Sequence, residues 1–145
     1  MVKLAADPPA FTATALADVT GLSFAVLANR SYTFQFWIRF SSAATTTGAQ
    51  FAVNAPANSY IVYRTETSLT AAAAGAPTVR TARAVNIGTA SASSDSIGGN
   101  LLCLVQGMVR PSADGTLIVR CGTEVAASGI TVRSGSCGVL YDFGA

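Results

Sequence analysis

Positions 31–40 read SYTFQFWIRF, and the even positions, Tyr32, Phe34, Phe36, Ile38 and Phe40, are all apolar. The odd positions include Thr33, Gln35 and Arg39. Period-two alternation predicts a strand with its even side on a core and its odd side facing outward. Trp37 interrupts the polar side, so the outer face is expected to touch something larger than water. Shorter alternating or β-branched runs predict further strands over 22–26, 49–53, 60–67, 78–89, 101–110 and 116–125. A last pair, 130–134 and 137–143, reads as one strand bulged at Gly135.

Turn residues punctuate these runs. SSAATTTG at 41–48 is a small-residue loop, Asn54-Ala55-Pro56 stops the next strand, and SASSDSIGG leads up to Gly99. The alanines within 68–77 allow one helical turn before Gly75 and Pro77 end it. Pro111-Ser112-Ala113-Asp114-Gly115 predicts a hairpin between 101–110 and 116–125. A turn centred on Ala113 opposes Val105 to Cys121 and Val109 to Leu117. Phe51, Val53, Val105, Leu117 and Val119 are then expected to join the even side of 31–40 in the core. About eight strands with no confident helix define an all-β, antiparallel two-sheet sandwich, jelly-roll-like in spacing.

Residues 1–20 read differently, as an extended arm preceding a sandwich domain over 21–145. Pro8 and Pro9 forbid a regular helix there. The segment still carries Val2, Leu4, Phe11 and Leu16, apolar groups that a purely solubilising tail would not need. The arm is expected to lie over a neighbouring subunit rather than on its own domain. With Trp37, these four are the candidate partner-binding residues.

Composition points the same way. Half of the 145 residues are apolar and only 11% are charged; the mean hydropathy is +0.45. Charge is depleted in permanent interfaces, so an obligate oligomer or assembly component is expected. The net charge of +2 is carried by scattered arginines with no run. A nucleic-acid partner needs a clustered basic footprint, and none is visible. No signal peptide is visible and no apolar stretch approaches the roughly 20 residues of a membrane helix. The expectation is a chain made in the cytoplasm, with no membrane partner.

Candidate chemistry is sparse. The chain has no histidine, which removes the usual general base and the commonest transition-metal ligand. Cys103, Cys121 and Cys137 form no C-x-x-C pair. In the hairpin register Cys103 and Cys121 are diagonal neighbours, about 7–8 Å apart and too far for a disulfide. Two buried free thiols is one reading; a slip by one pair would oppose them directly. An intersubunit bond at Cys137 is a further option. The seven acids are spread singly, without the converging carboxylates of a glycosidase. Catalytic residues, metal ligands and cofactors are therefore all expected to be none.

Two longer segments carry a resemblance: SYTFQFWIRFSSAATTTGAQFAVNAPAN and GTLIVRCGTEVAASGITVRSGS. They resemble segments of virion structural proteins of tailed bacteriophages, in which an aromatic strand runs into an S-x-A-T-T-T-G loop and a strand ending in N-x-P. A G-T-L-x-V-R strand and a T-V-R-x-G-S segment follow downstream. The likeness covers roughly residues 20 to 140 and is most specific at Ala44–Thr47 with Gly48. The three cysteines and the alanine-rich 71–76 loop depart from the pattern. The resemblance implies a jelly-roll-like domain that trimerises on the particle. The expected function is a non-enzymatic capsid decoration (cement) protein on the virion, with itself and the major capsid protein or another virion protein as partners. In that setting the arm would lie over a neighbour or the shell lattice. Two alternatives stay open: a tail or fibre subunit contacting the host surface, and a carbohydrate-binding sandwich using Trp37, Tyr60 and Tyr63 as a stacking platform.

Overall fold

The computed structural model describes residues 1–68, 79–90, 93–94 and 100–145. The helical turn expected within 68–77 and the loop leading to Gly99 fall almost wholly outside them. In chain order the strands are β1 (Val2–Lys3), β2 (Ala17–Val26), β3 (Tyr32–Ser42), β4 (Ala49–Asn54), β5 (Asn58–Ser68) and β6 (Val79–Ala84). They continue as β7 (Ser93–Ser94), β8 (Leu101–Pro111), β9 (Gly115–Thr123), β10 (Ile130–Val132) and β11 (Cys137–Asp142). All pairings are antiparallel. A seven-stranded sheet runs β1-β11-β3-β8-β5-β6, with β10 also on β3, and a four-stranded sheet runs β2-β9-β4-β7. The chain is thus an all-β, two-sheet sandwich. Its nested pairs β2–β9, β3–β8, β4–β7 and β5–β6 fall in alternate sheets, the wound-up pairing of a jelly-roll-like fold.

The long strand anchors the core. Tyr32, Phe34, Phe36, Ile38 and Phe40 are at most 3% exposed, and Phe51, Val53, Val105, Leu117 and Val119 are buried with them. Rings from the two sheets meet edge on: Phe40 of β3 and Phe51 of β4 have centroids 5.2 Å apart. Phe24 of β2 reaches Phe36 at 5.5 Å. Such pairs add about 0.5–1.5 kcal/mol each beyond the area they bury.

β10 and β11 lie end to end along one edge of β3, as the bulged last strand predicts. Val132 pairs with Phe40 and Cys137 with Trp37. Five steps along one strand therefore oppose three along the other. Gly135 absorbs the insertion at φ 85°, in the left-handed region that favours glycine. The buried Ser136 hydroxyl stitches the gap, accepting from the Arg39 amide at 3.0 Å and donating to the Arg133 carbonyl at 2.7 Å.

The hairpin at 111–115 does not form. β8 pairs with β3 and β5, whereas β9 pairs with β2 and β4 in the other sheet. Val105 faces Phe36 and Thr65, and Cys121 faces Ala17 and Phe51. The turn chemistry serves a crossing between sheets. Asp114 accepts from the Ala28 amide at 2.7 Å instead of closing its own turn. The Ser112 amide donates to Ala57 at 2.7 Å, and Gly115 pairs with Val26. Both edges of β8 were already occupied, so long-range pairing overrode the local signal.

The arm expectation is also corrected. Residues 1–16 pack on their own domain. β1 adds to the edge of β11, and the Leu4 amide donates to Ser136 while its carbonyl accepts from Gly135. Leu4 is buried, and Val2 and Phe11 rest against the same core. Phe11 exchanges backbone hydrogen bonds with Ile130. The apolar groups that set this segment apart from a solvated tail find their burial within one chain.

Candidate binding surface on the large sheet

The outer face of the seven-stranded sheet is built from the odd positions of β3 and the residues beside them. In register across the strands, Val139, Gln35, Gln106, Arg64 and Arg83 form one row. Tyr141, Thr33, Met108 and Val62 form the next. A third row brings Cys137, Trp37, Leu104 and Glu66 together. Apart from Val139, the first two rows line a shallow concavity of about 660 Å³.

Its polar side is tied together. The side-chain amides of Gln35 and Gln106 meet at 3.2 Å. Turned to satisfy its neighbours, the Gln106 amide presents its oxygen to Arg64 Nε at 2.6 Å. Arg64 also pairs with Glu66 at 3.2 Å. Arg83, directly opposite Arg64 in the β5–β6 register, forms no ion pair among the described residues. The apolar side is open: Met108 is 46% and Tyr141 60% exposed.

The five candidate partner-binding residues do not share this surface. Leu4 is enclosed, Val2 and Phe11 are half-buried against the core, and Leu16 is half-buried where the arm enters β2. Trp37 does lie on the outer face, half-buried between Leu104 and Cys137. The stacking platform is corrected as well. Tyr63 sits in the core with its hydroxyl donating to the Thr89 carbonyl, because odd positions of β5 face inward. Burial raises its pKa. Tyr60 is exposed but lies a row away from the groove. Sequence reasoning passed over Tyr141, Met108 and Arg83; only the strand order brings them together.

The two core thiols offer no chemistry in this state. All three cysteines are free. Cys103 and Cys121 are fully enclosed in facing sheets, and burial pushes the Cys103 thiol up to about 12 and Cys121 in the same direction. Among the described residues, no three histidine, cysteine or acidic side chains gather as metal ligands. No described helix is long and apolar enough to cross a membrane.

No protein-family model matches the chain, and no curated protein matches it.

Proposed function

We propose that the chain is a non-enzymatic structural subunit of a tailed-bacteriophage virion, a decoration protein that binds the outer shell as a homotrimer. The observation that carries this reading is the character of the exposed surface. Leu27, Leu102, Val125 and Phe143 are each more than two-fifths exposed. Meanwhile six of the seven acids are consumed within the chain, in ion pairs to Arg133, Arg120, Arg64 and Arg30 or in bonds to the amides of Ala28 and Gly48. A surface rich in large apolar groups and poor in free charge suits permanent packing against neighbours. The likeness of 31–58 and 115–136 to virion segments supplies the setting.

One end of the sandwich is assigned to subunit contact. There the 27–30 turn, the 111–115 crossing and the C-terminal residues converge: Asn29 donates to Pro111, and Ser31 exchanges backbone bonds with Phe143 and Gly144. Leu27 and Phe143 project from this end, 53% and 70% exposed. Sedimentation of the purified chain is expected to show a trimer, and Phe143→Asp to shift it toward monomer. A copy count on purified particles tests the location. Hundreds of copies fit the shell; a handful would move the protein to the tail or a fibre, and none would end the virion reading.

A further inference from the structure

The groove on the large sheet carries a charge pattern that the described residues do not fully answer. Arg64 and Arg83 oppose one another across β5 and β6 on the outer face. Like charges placed directly opposite destabilise a strand pair unless something lies between or beside them. Glu66 and Gln106 answer Arg64. Among the described residues nothing ionic answers Arg83, and each of the six described acids already has a partner. Arg83 is thus an outward-facing, exposed guanidinium that an anion from outside the chain can reach.

The shape narrows the class. The lining residues come from five adjacent strands, β11, β3, β8, β5 and β6. At about 4.8 Å per strand the groove runs roughly 19 Å across the sheet, enough for a short polymer. The backbone groups of β3, β8 and β5 are used in ladders on both sides, so a ligand lying across the middle of the face meets side chains there. They stand in two parallel rows, amides and guanidinium forks along one and Tyr141, Met108 and Val62 along the other. A sugar ring has the same two-sided character, with hydroxyls at its edge and C–H bonds on its face.

We propose that this groove binds an acidic oligosaccharide, its carboxylate held by Arg83 and Arg64, its hydroxyls by Gln35 and Gln106, and its ring faces against Tyr141. The inference does not rest on the virion reading, since the groove has this chemistry wherever the protein resides.

The test is calorimetric titration of the full chain with a galacturonate hexamer, a neutral glucose hexamer and a glutamate hexapeptide. The galacturonate hexamer is expected to bind in the sub-millimolar range and the other two not measurably. Arg83→Gln should weaken binding about tenfold, the scale of one charge-assisted hydrogen bond. Arg83→Lys should fall between, keeping the charge and losing the planar fork. Arg80→Gln, on the same strand but facing the other way against Thr67, should change nothing. Tyr141→Ala tests the ring contact separately and should also weaken binding. Four results would overturn the proposal: no acidic-sugar binding to the folded chain, equal binding of the peptide, equal losses in Arg80→Gln and Arg83→Gln, or self-association that buries the groove and is dissolved by Met108→Glu.

Discussion

Gly138 of β11 pairs directly with Phe36 of β3, and a β-carbon at 138 would stand 2.4 Å from the Phe36 ring. The bare backbone lets the ring lie over the strand while it meets Phe24 and Phe34 on its other sides. A buried ring of the alternating strand thus dictates a glycine about a hundred residues away. Gly138→Ala should cost about 1–3 kcal/mol through overpacking. Phe36→Ala should cost about 3–5 kcal/mol through lost transfer and cavity energy. The double variant should cost less than the sum, because the small side chain at 36 frees the space that an alanine at 138 needs. Denaturant midpoints of the three variants check this; strict additivity would mean the two sites relax independently.

The arm is latched by a carboxylate. Asp7 accepts from the Ser134 amide at 2.6 Å and from Arg133 Nη1 at 2.8 Å. The Ser134 amide first, then the Arg133 guanidinium, hold its pKa below the usual 3.8. A carboxyl group depressed on folding contributes stability above its unfolded pKa and loses it as pH falls through the folded value. The latch should therefore hold at neutral pH and open only below about pH 4. Amide exchange near residues 5–9 is expected to accelerate at pH 3 relative to neutral pH after correction for intrinsic rates. Asp7→Asn should show much of that acceleration already at pH 7. Exchange that ignores both changes would mean Asp7 holds nothing.

Thiol labelling separates the cysteines by position in the sandwich. Cys103 accepts a hydrogen bond from Thr67 at 3.3 Å, which offsets only part of the desolvation that raises its pKa. Cys121 lies in the facing sheet under the same constraint. Cys137, half-buried beside Trp37, is the accessible one. An aromatic disulfide reagent at pH 8 should label at most one thiol quickly in the native protein, and all three after unfolding. Two fast equivalents would show that a thiol of the core is reached without global unfolding.

The strands themselves were legible because their signal is local. Eight segments with the right period reappear as β2, β3, β4, β5, β6, β8, β9 and the divided β10–β11. Burial of the even positions of β3 needs nothing more than alternation across a pleat. Pairing is a different matter. Asp114 and Gly115 have the chemistry of a tight hairpin, yet Asp114 bonds to Ala28, 86 residues earlier. A turn signal specifies that the chain reverses, not which sheet it enters. The groove was hidden for the same reason. Arg83 and Tyr141 lie 58 positions apart in the chain, and their relation exists only through the order β11-β3-β8-β5-β6. Tyr63 is the exception that was legible: Arg64 and Glu66 mark the even positions of its run as outward, which turns Tyr63 toward the core as the register with β8 shows.

The packing of the arm yields the sharpest contrast with the expectation from sequence. A segment docked on a neighbour could be removed without harm to the isolated domain. Here Leu4 is 6% exposed, its δ-carbon lies 3.1 Å from where a β-carbon on Gly21 would sit, and Phe11 bridges to Ile130. Gly21 itself adopts φ 97° at the register shift of β2, so the arm and the bulge fit one another. Leu4→Ala should therefore cost about 2–5 kcal/mol, the range for an enclosed leucine, toward the lower end because the site lies at the edge of the core. Deleting residues 2–11 should cost more, since it also removes Val2 and Phe11 and leaves backbone groups at 130 and 136 without their partners. Both effects should appear in the denaturant midpoint of the purified chain with no other protein present. A truncated chain that unfolds at the full-length midpoint would return the arm to the role of a tether for something outside the domain.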